Sequence, residues 1–182
     1  MNVTDAVNTR KSIRAFLDTP VADELVAELL TKAARAPSGG NLQPWRISVI
    51  NGATMPRFLS FLADTDIEDT PAYDIYPRDL KSPYRDARFK AGEDMYELLG
   101  IPREDKPARF AHLARNYNFF DAPAGLFCFV DRQMGMPQWS DLGMFLQTFM
   151  LLAQEAGLDT CAQEAWSMRA DSVSAFVSAD PE

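Results

Sequence analysis

Apolar residues set the first pattern in the chain. Across residues 22–36, "ADELVAELLTKAARA", Leu25, Val26, Leu29 and Leu30 recur at helical spacing, and Pro37 closes the run. At 45–50, "WRISVI", the period changes to alternation with β-branched residues, which predicts a strand. Thr4 is placed to cap a short opening helix that stops near Thr9, and Thr54 to cap another over roughly 55–63. Two helical stretches are expected over about 85–99 and 103–117. "AGLFCFV", 124–130, is a continuous apolar run and reads as a buried strand. "SDLGMFLQTFMLLAQEAG", 140–157, opens on a capping Ser140 and has Gly157 just past its end. It is apolar almost all round, which predicts a buried helix, part of it against another subunit. A short strand near 158–163 and a weak helix near 170–178 complete the order. With no internal repeat, the expectation is one α+β domain: a small sheet, helices on both sides and one large central helix.

Residues 64–84 interrupt this regularity with five aspartates, one glutamate, three prolines and three tyrosines. An excursion this long is functional, as a lid, or disordered. Tyr73, Tyr76 and Tyr84 within it either cover a substrate or anchor the loop. Phe119 and Phe120 read as core, while Trp139 and Trp166 are expected to pack at a subunit interface.

Composition narrows the chemistry. The 182 residues are 47% hydrophobic and 24% charged, which is ordinary for a globular domain with a sizeable core. No apolar run approaches the ~20 residues of a membrane span, and the start lacks the apolar core of a signal peptide, so a cytoplasmic protein is expected. A net charge of −8 argues against nucleic acid as a partner. Cys128 and Cys161 are too few for a disulfide framework, and His112 is the only histidine. A zinc site or a Ser-His-Asp triad has little to draw on. An enzyme so poor in bases and nucleophiles points to a borrowed cofactor. Cys128 reads as core; Cys161 reads as packing, with a redox role the alternative.

Against the acidic balance, "NTRKSIRAF", 8–16, gathers Arg10, Lys11 and Arg14 around Ser12. A helix would turn Ser12 away from the two arginines, whereas an extended segment lines Arg10, Ser12 and Arg14 on one side. Two guanidinium forks and a hydroxyl suit a phosphate monoester. The plainer alternative is a solvated basic patch paired with nearby acids. A second stretch, "RAPSGGNLQPW", 35–45, offers Ser38, Asn41 and Gln43 with little bulk between them, and Gly39 and Gly40 let backbone approach a ligand. Such a loop can bond the edge of a flat heterocycle, though ordinary turns use the same residues.

In combination, Arg-x-Ser-x-Arg followed by Ala-Pro-Ser-x-x-Asn-x-Gln-Pro-Trp resembles the nitroreductase family of flavin mononucleotide (FMN) enzymes. The segment 139–166, "WSDLGMFLQTFMLLAQEAGLDTCAQEAW", is similar to that family's dimer helix and the strand and turn that face the flavin. The resemblance implies a nitroreductase-like fold over 1–182, with 64–118 variable, in a homodimer whose two FMN sites lie at the interface. It places Arg10, Lys11, Ser12 and Arg14 on the phosphate and ribityl tail. Pro37, Ser38 and Asn41 would lie against the ring or tail, and Gln43 at the pyrimidine edge. Gln147 would contact the flavin or the interface. Gln163, Glu164 and Ala165 would form the turn near N5 and O4, where a backbone N–H serves N5. Glu164 could donate a proton or stay an exposed or salt-bridged carboxylate. The implied activity is hydride transfer from NADH or NADPH through FMN to a small acceptor, such as a nitroaromatic or quinone, by ping-pong kinetics without a metal. A flavin-binding carrier or sensor without turnover is the competing expectation. Family members run on beyond "FVSADPE" through another strand, an embracing arm and a further basic residue for the phosphate, so a fragment or shortened variant is expected.

Overall fold

The two runs that read as strands pair with each other. In the computed structural model, which describes residues 1–178, β1 (Arg46–Asn51) and β2 (Ala124–Phe129) run antiparallel, from Arg46 opposite Phe129 to Asn51 opposite Ala124. Residues 179–182, the end of "FVSADPE", lie outside the described residues. Around this pair stand α1 (Val3–Thr9), α2 (Asp23–Ala33), α3 (Thr54–Asp64), α4 (Tyr84–Leu98), α5 (Lys106–Ala114), α6 (Met136–Glu155) and α7 (Ala170–Val177). Alternation along β1 sends its side chains to two cores. Ile50 joins Met55, Phe58 and Leu62 of α3, Phe127 of β2 and Val173 of α7. Ile47 packs with Ala33 of α2 and Phe145 of α6. The small sheet therefore carries helices on both faces.

Several boundaries differ from the expectation, each for a local reason. Asn2, not Thr4, caps α1: its Oδ1 accepts the Asp5 N–H at 2.9 Å, and the Asp5 carboxylate accepts the Asn2 N–H in return. Thr54 is already inside α3, behind Ala53. α6 starts at Met136 rather than Ser140, because Pro137 suits its first turn and Gln138 Oε1 accepts the Gly135 N–H at 3.0 Å. Gly157 stops that helix in the left-handed region, φ +80°, as expected. The stretch 103–117 is shorter than expected and begins with Asp105 capping α5. It gives way to a 3-10 turn over Arg115–Asp121, where Phe119, Phe120 and Asp121 adopt φ of 53°, 54° and 67°. Burying both phenylalanines outweighs the helix there. The strand expected near 158–163 shrinks to one parallel bridge, Thr160 with Ser12, before the chain winds into a 3-10 turn over Ala165–Arg169. β2 is only half-buried apart from Phe127.

α6 is largely apolar, yet only Asp141, Leu142, Phe145 and Ala153 are buried within one chain. Asp64 closes α3, and from 65 to 83 the excursion forms no helix or strand, but it is not loose. Asp69 accepts the Ser172 N–H at 2.8 Å, the Ser172 hydroxyl at 2.7 Å and Arg169 Nη1 at 3.2 Å. The acidic stretch is thereby fastened to the start of α7.

Close packing of the larger core gives a direct test. Phe119 stacks near Trp166 with centroids 4.6 Å apart, and a Cβ added to Gly125 would come within 2.6 Å of the Phe119 ring. Phe58, Phe127 and Trp166 surround that ring, so it has no free direction in which to swing. Gly125→Ala is expected to cost about 1–3 kcal/mol by overpacking. Denaturant unfolding checks this, and a midpoint equal to wild type would show that the ring yields.

Candidate functional site

Segment 10–14 is extended. Arg10 ends α1 with its N–H on the Ala6 carbonyl, and Ile13 N–H donates to the Thr160 carbonyl at 3.0 Å. Alternation then lines Arg10, Ser12 and Arg14 on one side, away from the half-buried Ile13. Among the described residues, no carboxylate pairs with Arg10, Lys11 or Arg14. That is informative in a chain with 26 acidic residues, because it sets aside the salt-bridged patch among the described residues and leaves three cations available. The bridge at Thr160 also brings this cluster to the strand-like segment that leads into Gln163–Ala165.

The loop 37–43, the ring loop of the expectation, is shaped by backbone geometry. Gly39–Asn41 form a 3-10 turn, and Gly40, Asn41 and Gln43 sit at φ of 59°, 56° and 49°. Ser38 Oγ accepts the Gln43 N–H at 2.9 Å, and Gln43 Nε2 donates to Asn41 Oδ1 at 2.9 Å. The two amides thus fix each other, while Asn41 Nδ2 and Gln43 Oε1 have no hydrogen-bond partner among the described residues. A Cβ at Gly40 would meet nothing within 4 Å, so the space beside the loop is open. Pro37 is exposed at its entry.

A residue absent from the expectation holds this loop in place. Asp141, buried in the first turns of α6, accepts the Gly39 N–H through both oxygens at 3.2 and 3.3 Å. Trp45 stacks on Phe145 of the same helix, 5.0 Å between centroids. Gln147 lies about 9 Å beyond Asp141 along α6 and is exposed. Among the described residues no hydrogen bond or ion pair joins Gln147, or the ring loop, to segment 10–14.

The turn is held from two sides. Gln163 Nε2 donates to the Asn116 carbonyl and to its Oδ1, both at 3.0 Å, while Gln163 Oε1 accepts Trp166 Nε1–H at 3.0 Å. The Gln163 side chain is therefore spent on the fold, and any ligand contact there falls to the backbone. Glu164 accepts the Tyr73 hydroxyl at 2.6 Å, and its carbonyl accepts the Ser167 N–H and hydroxyl at 3.0 and 2.8 Å. Ala165 begins the 3-10 turn. Of the tyrosines left open between lid and anchor, Tyr73 is an anchor. Asn116 and Tyr73, like Asp141, carry no local signal of these long-range roles.

The only histidine is not set up as a base. His112 lies buried between the Tyr96 and Phe120 rings, each 6.0 Å away, with Nε2 unpartnered. Burial first, then the nearby Arg115 and Arg14 charges, holds it below its ordinary pKa, so it is neutral at pH 7. Burial pushes the Cys161 thiol up against the opposing pull of Arg14. Burial alone raises Cys128 to about 12. Native Cys128 is expected to resist thiol alkylation near neutral pH. The unfolded thiol ionises from about pH 8.5, and the folded one only near 12, so this group withdraws stability progressively across that window. Alkylation rates before and after denaturation check the first point.

Comparison with known proteins identifies the family. The Nitroreductase family profile matches residues 7–182. A nitrobenzene nitroreductase of Ectopseudomonas oleovorans is 38% identical over 92% of this chain and 75% of its own length. A 4-nitrobenzoate reductase of Pseudomonas putida is 37% identical over 88% of this chain and 71% of its own. The crystal structure of the FMN- and NADPH-dependent nitroreductase NfnB from Sphigopyxis sp. strain HMH superposes with a TM-score of 0.93 at 42% identity, covering 100% of this chain and 83% of that one. The FMN-dependent NfnB of Mycobacterium smegmatis, solved with NADPH, gives 0.89 at 25% identity over 98% and 83%. With the profile spanning the unpaired cations, the ring loop and the turn alike, the chain belongs to the nitroreductase family.

Proposed function

We propose that the chain binds FMN and reduces small aromatic nitro compounds with NADH or NADPH as the electron donor. The observation that carries this is the run of unpaired Arg10, Lys11 and Arg14 on an extended segment bonded, at Thr160, to the approach to the Gln163–Ala165 turn. The FMN and NADPH dependence named for its structural relatives, and the nitroarenes named for its sequence relatives, support the reading.

The residues present suit the cofactor. Arg10, Ser12 and Arg14, with Lys11 adding charge, would hold the phosphate; the open, left-handed loop Ser38–Gln43 would present Asn41 Nδ2 and Gln43 Oε1 to polar ring or ribityl atoms. FMN, when bound, supplies two-electron chemistry that the chain's own side chains lack. The protein's part is to bind and orient: Asp141 fixes the loop through Gly39, and Asn116 and Trp166 fix the turn through Gln163. With His112 buried and neutral, no side-chain base is asked to move a proton. Donor and acceptor would use the site in succession, hence ping-pong kinetics.

Purified protein incubated with FMN and desalted should be yellow. NADH or NADPH should bleach it without oxygen, and nitrobenzene should restore the colour. Protein that retains no flavin overturns the reading; yellow protein that no donor bleaches would make it a binding protein without turnover.

The same reading includes a homodimer. Met136 and Met144 of α6 are 87% and 39% exposed on a long, largely apolar helix. A symmetry mate across a two-fold axis would cover them. Sedimentation over a concentration series should show a dimer that dissociates on dilution and is strengthened by added FMN. A monomer at every concentration that still holds FMN tightly would show that the site needs no second subunit.

A further inference from the structure

The Glu164 side chain is held in one place. Tyr73 donates its hydroxyl to Glu164 Oε2 at 2.6 Å, and the Tyr73 ring stands edge-on to Trp139, 5.1 Å between centroids at 83°. Tyr73 and Trp139 are 37% and 45% exposed, and Glu164 is exposed beside them. Two aromatic surfaces and one carboxylate thus form an open ledge next to the Gln163–Ala165 turn. The docked excursion delivers Tyr73 to it: Ala72 N–H donates to the Ser167 carbonyl at 2.8 Å and Thr70 N–H to Asp171 Oδ2 at 2.6 Å.

No cation neutralises this carboxylate. Among the described residues Glu164 belongs to no ion pair, and Arg169, five residues on in the same segment, is taken by Asp69 at 3.2 Å. Burial first, then the Glu164 contact, raises the Tyr73 phenol above its ordinary pKa, so Tyr73 remains a donor throughout the neutral range. The ledge therefore offers planar apolar contact together with a fixed, uncompensated negative charge.

We propose that Glu164, positioned by Tyr73, determines acceptor specificity by disfavouring nitroarenes that carry a ring carboxylate and favouring neutral ones, with Tyr73 and Trp139 facing the ring. This rests on the nitroarene-reducing reading above. Like charges brought together in a partly desolvated site repel, and the repulsion is weakened by salt.

The test measures acceptor kcat/KM for nitrobenzene and 4-nitrobenzoate with FMN-loaded wild type, Glu164→Gln and Tyr73→Phe. In a ping-pong sequence this quantity reports only the half-reaction that the acceptor enters. Wild type is expected to prefer nitrobenzene. Glu164→Gln should shift the ratio towards 4-nitrobenzoate by roughly three- to tenfold, whatever happens to the absolute rates. Added salt should narrow the wild-type preference more than it moves the Glu164→Gln ratio, because the rest of the chain's net negative charge acts on the anionic acceptor in both. Tyr73→Phe keeps the charge but frees it, and should shift the ratio less than Glu164→Gln. A binding readout runs in parallel: non-reducible benzamide should perturb the flavin spectrum at lower concentration than benzoate, and the gap should close in Glu164→Gln. Should Glu164→Gln not fold, the salt arm on wild type and Tyr73→Phe decides alone. A wild-type preference for 4-nitrobenzoate, or a ratio indifferent to both salt and Glu164→Gln, overturns the proposal. Loaded protein that reduces neither nitroarene overturns the functional reading as well, and is recognised by that double failure.

Discussion

The double variant Arg10→Ala/Arg14→Ala is expected to bind FMN about a hundredfold more weakly than wild type, or worse. Each charge-assisted hydrogen bond to a phosphate contributes about 1.5–3 kcal/mol, and about 1.4 kcal/mol is tenfold in affinity. Either single variant should therefore lose about tenfold, and the pair should come close to the product when both arginines meet one phosphate. The fold should survive the change. Arg14 is exposed and Arg10 half-buried, neither joins an ion pair among the described residues, and the backbone bonds of the segment run through Arg10 N–H and Ile13 N–H. Unfolding of the flavin-free variant should thus match wild type, which separates lost binding from lost structure. Titration of FMN fluorescence measures the affinity. Salt should weaken the wild type more steeply than the double variant, since only the former retains both charges. Unchanged FMN affinity in the double variant would remove segment 10–14 from the site.

Element order was legible because the signals are local. The helical spacing of Leu25, Val26, Leu29 and Leu30 and the alternation of "WRISVI" need no knowledge of the rest of the chain, and they correspond to α2 and β1. The extended form of Arg10–Arg14 was one of two readings open from spacing alone, and the bond to Thr160 selects it. The left-handed Phe119 and Phe120 were not legible. Their conformation follows from what the two rings bury against, and nothing in "NYNFFD" announces it. The same holds for the residues that support the site. Asp141 reaches Gly39 across 102 positions, Tyr73 reaches Glu164 across 91, and Asp69 reaches Ser172 across 103. In one sequence Asp141 and Asp69 look like solvated surface charges, and Tyr73 like one of three interchangeable loop tyrosines. Only the fold shows that Asp141 and Asp69 are buried acceptors for backbone N–H groups that have lost water.

Asp69→Ala is expected to lower stability by about 3 kcal/mol and to release the acidic excursion. The Asp69 side chain is 5% exposed and accepts three donors: the N–H and hydroxyl of Ser172 and one arm of Arg169. Ser172 is the third residue of α7, so its N–H is one of the helix's orphan donors, and the residue preceding α7, Arg169, supplies no side-chain cap. A carboxylate 103 residues upstream thus does the work of an N-cap and adds favourable charge at a helix N-terminus. Alanine leaves the Ser172 N–H and hydroxyl without an acceptor, whereas the Arg169 guanidinium, with its side chain 36% exposed, can recover water. Asp69→Asn should cost less, because one oxygen still accepts while the charge is lost. For a chain of this length about 3 kcal/mol corresponds to a fall in Tm of roughly 6–12 °C. The release has its own readout. With Asp69 gone, the Thr70 and Ala72 backbone bonds and the Tyr73–Glu164 bond must hold the excursion alone. Limited proteolysis should therefore cut within residues 65–80 sooner in Asp69→Ala than in wild type, before the core unfolds. A Tm matching wild type, with cleavage no faster, would mean that water or Asp171 replaces the lost acceptor, and that the excursion does not depend on Asp69 for its place beside the turn.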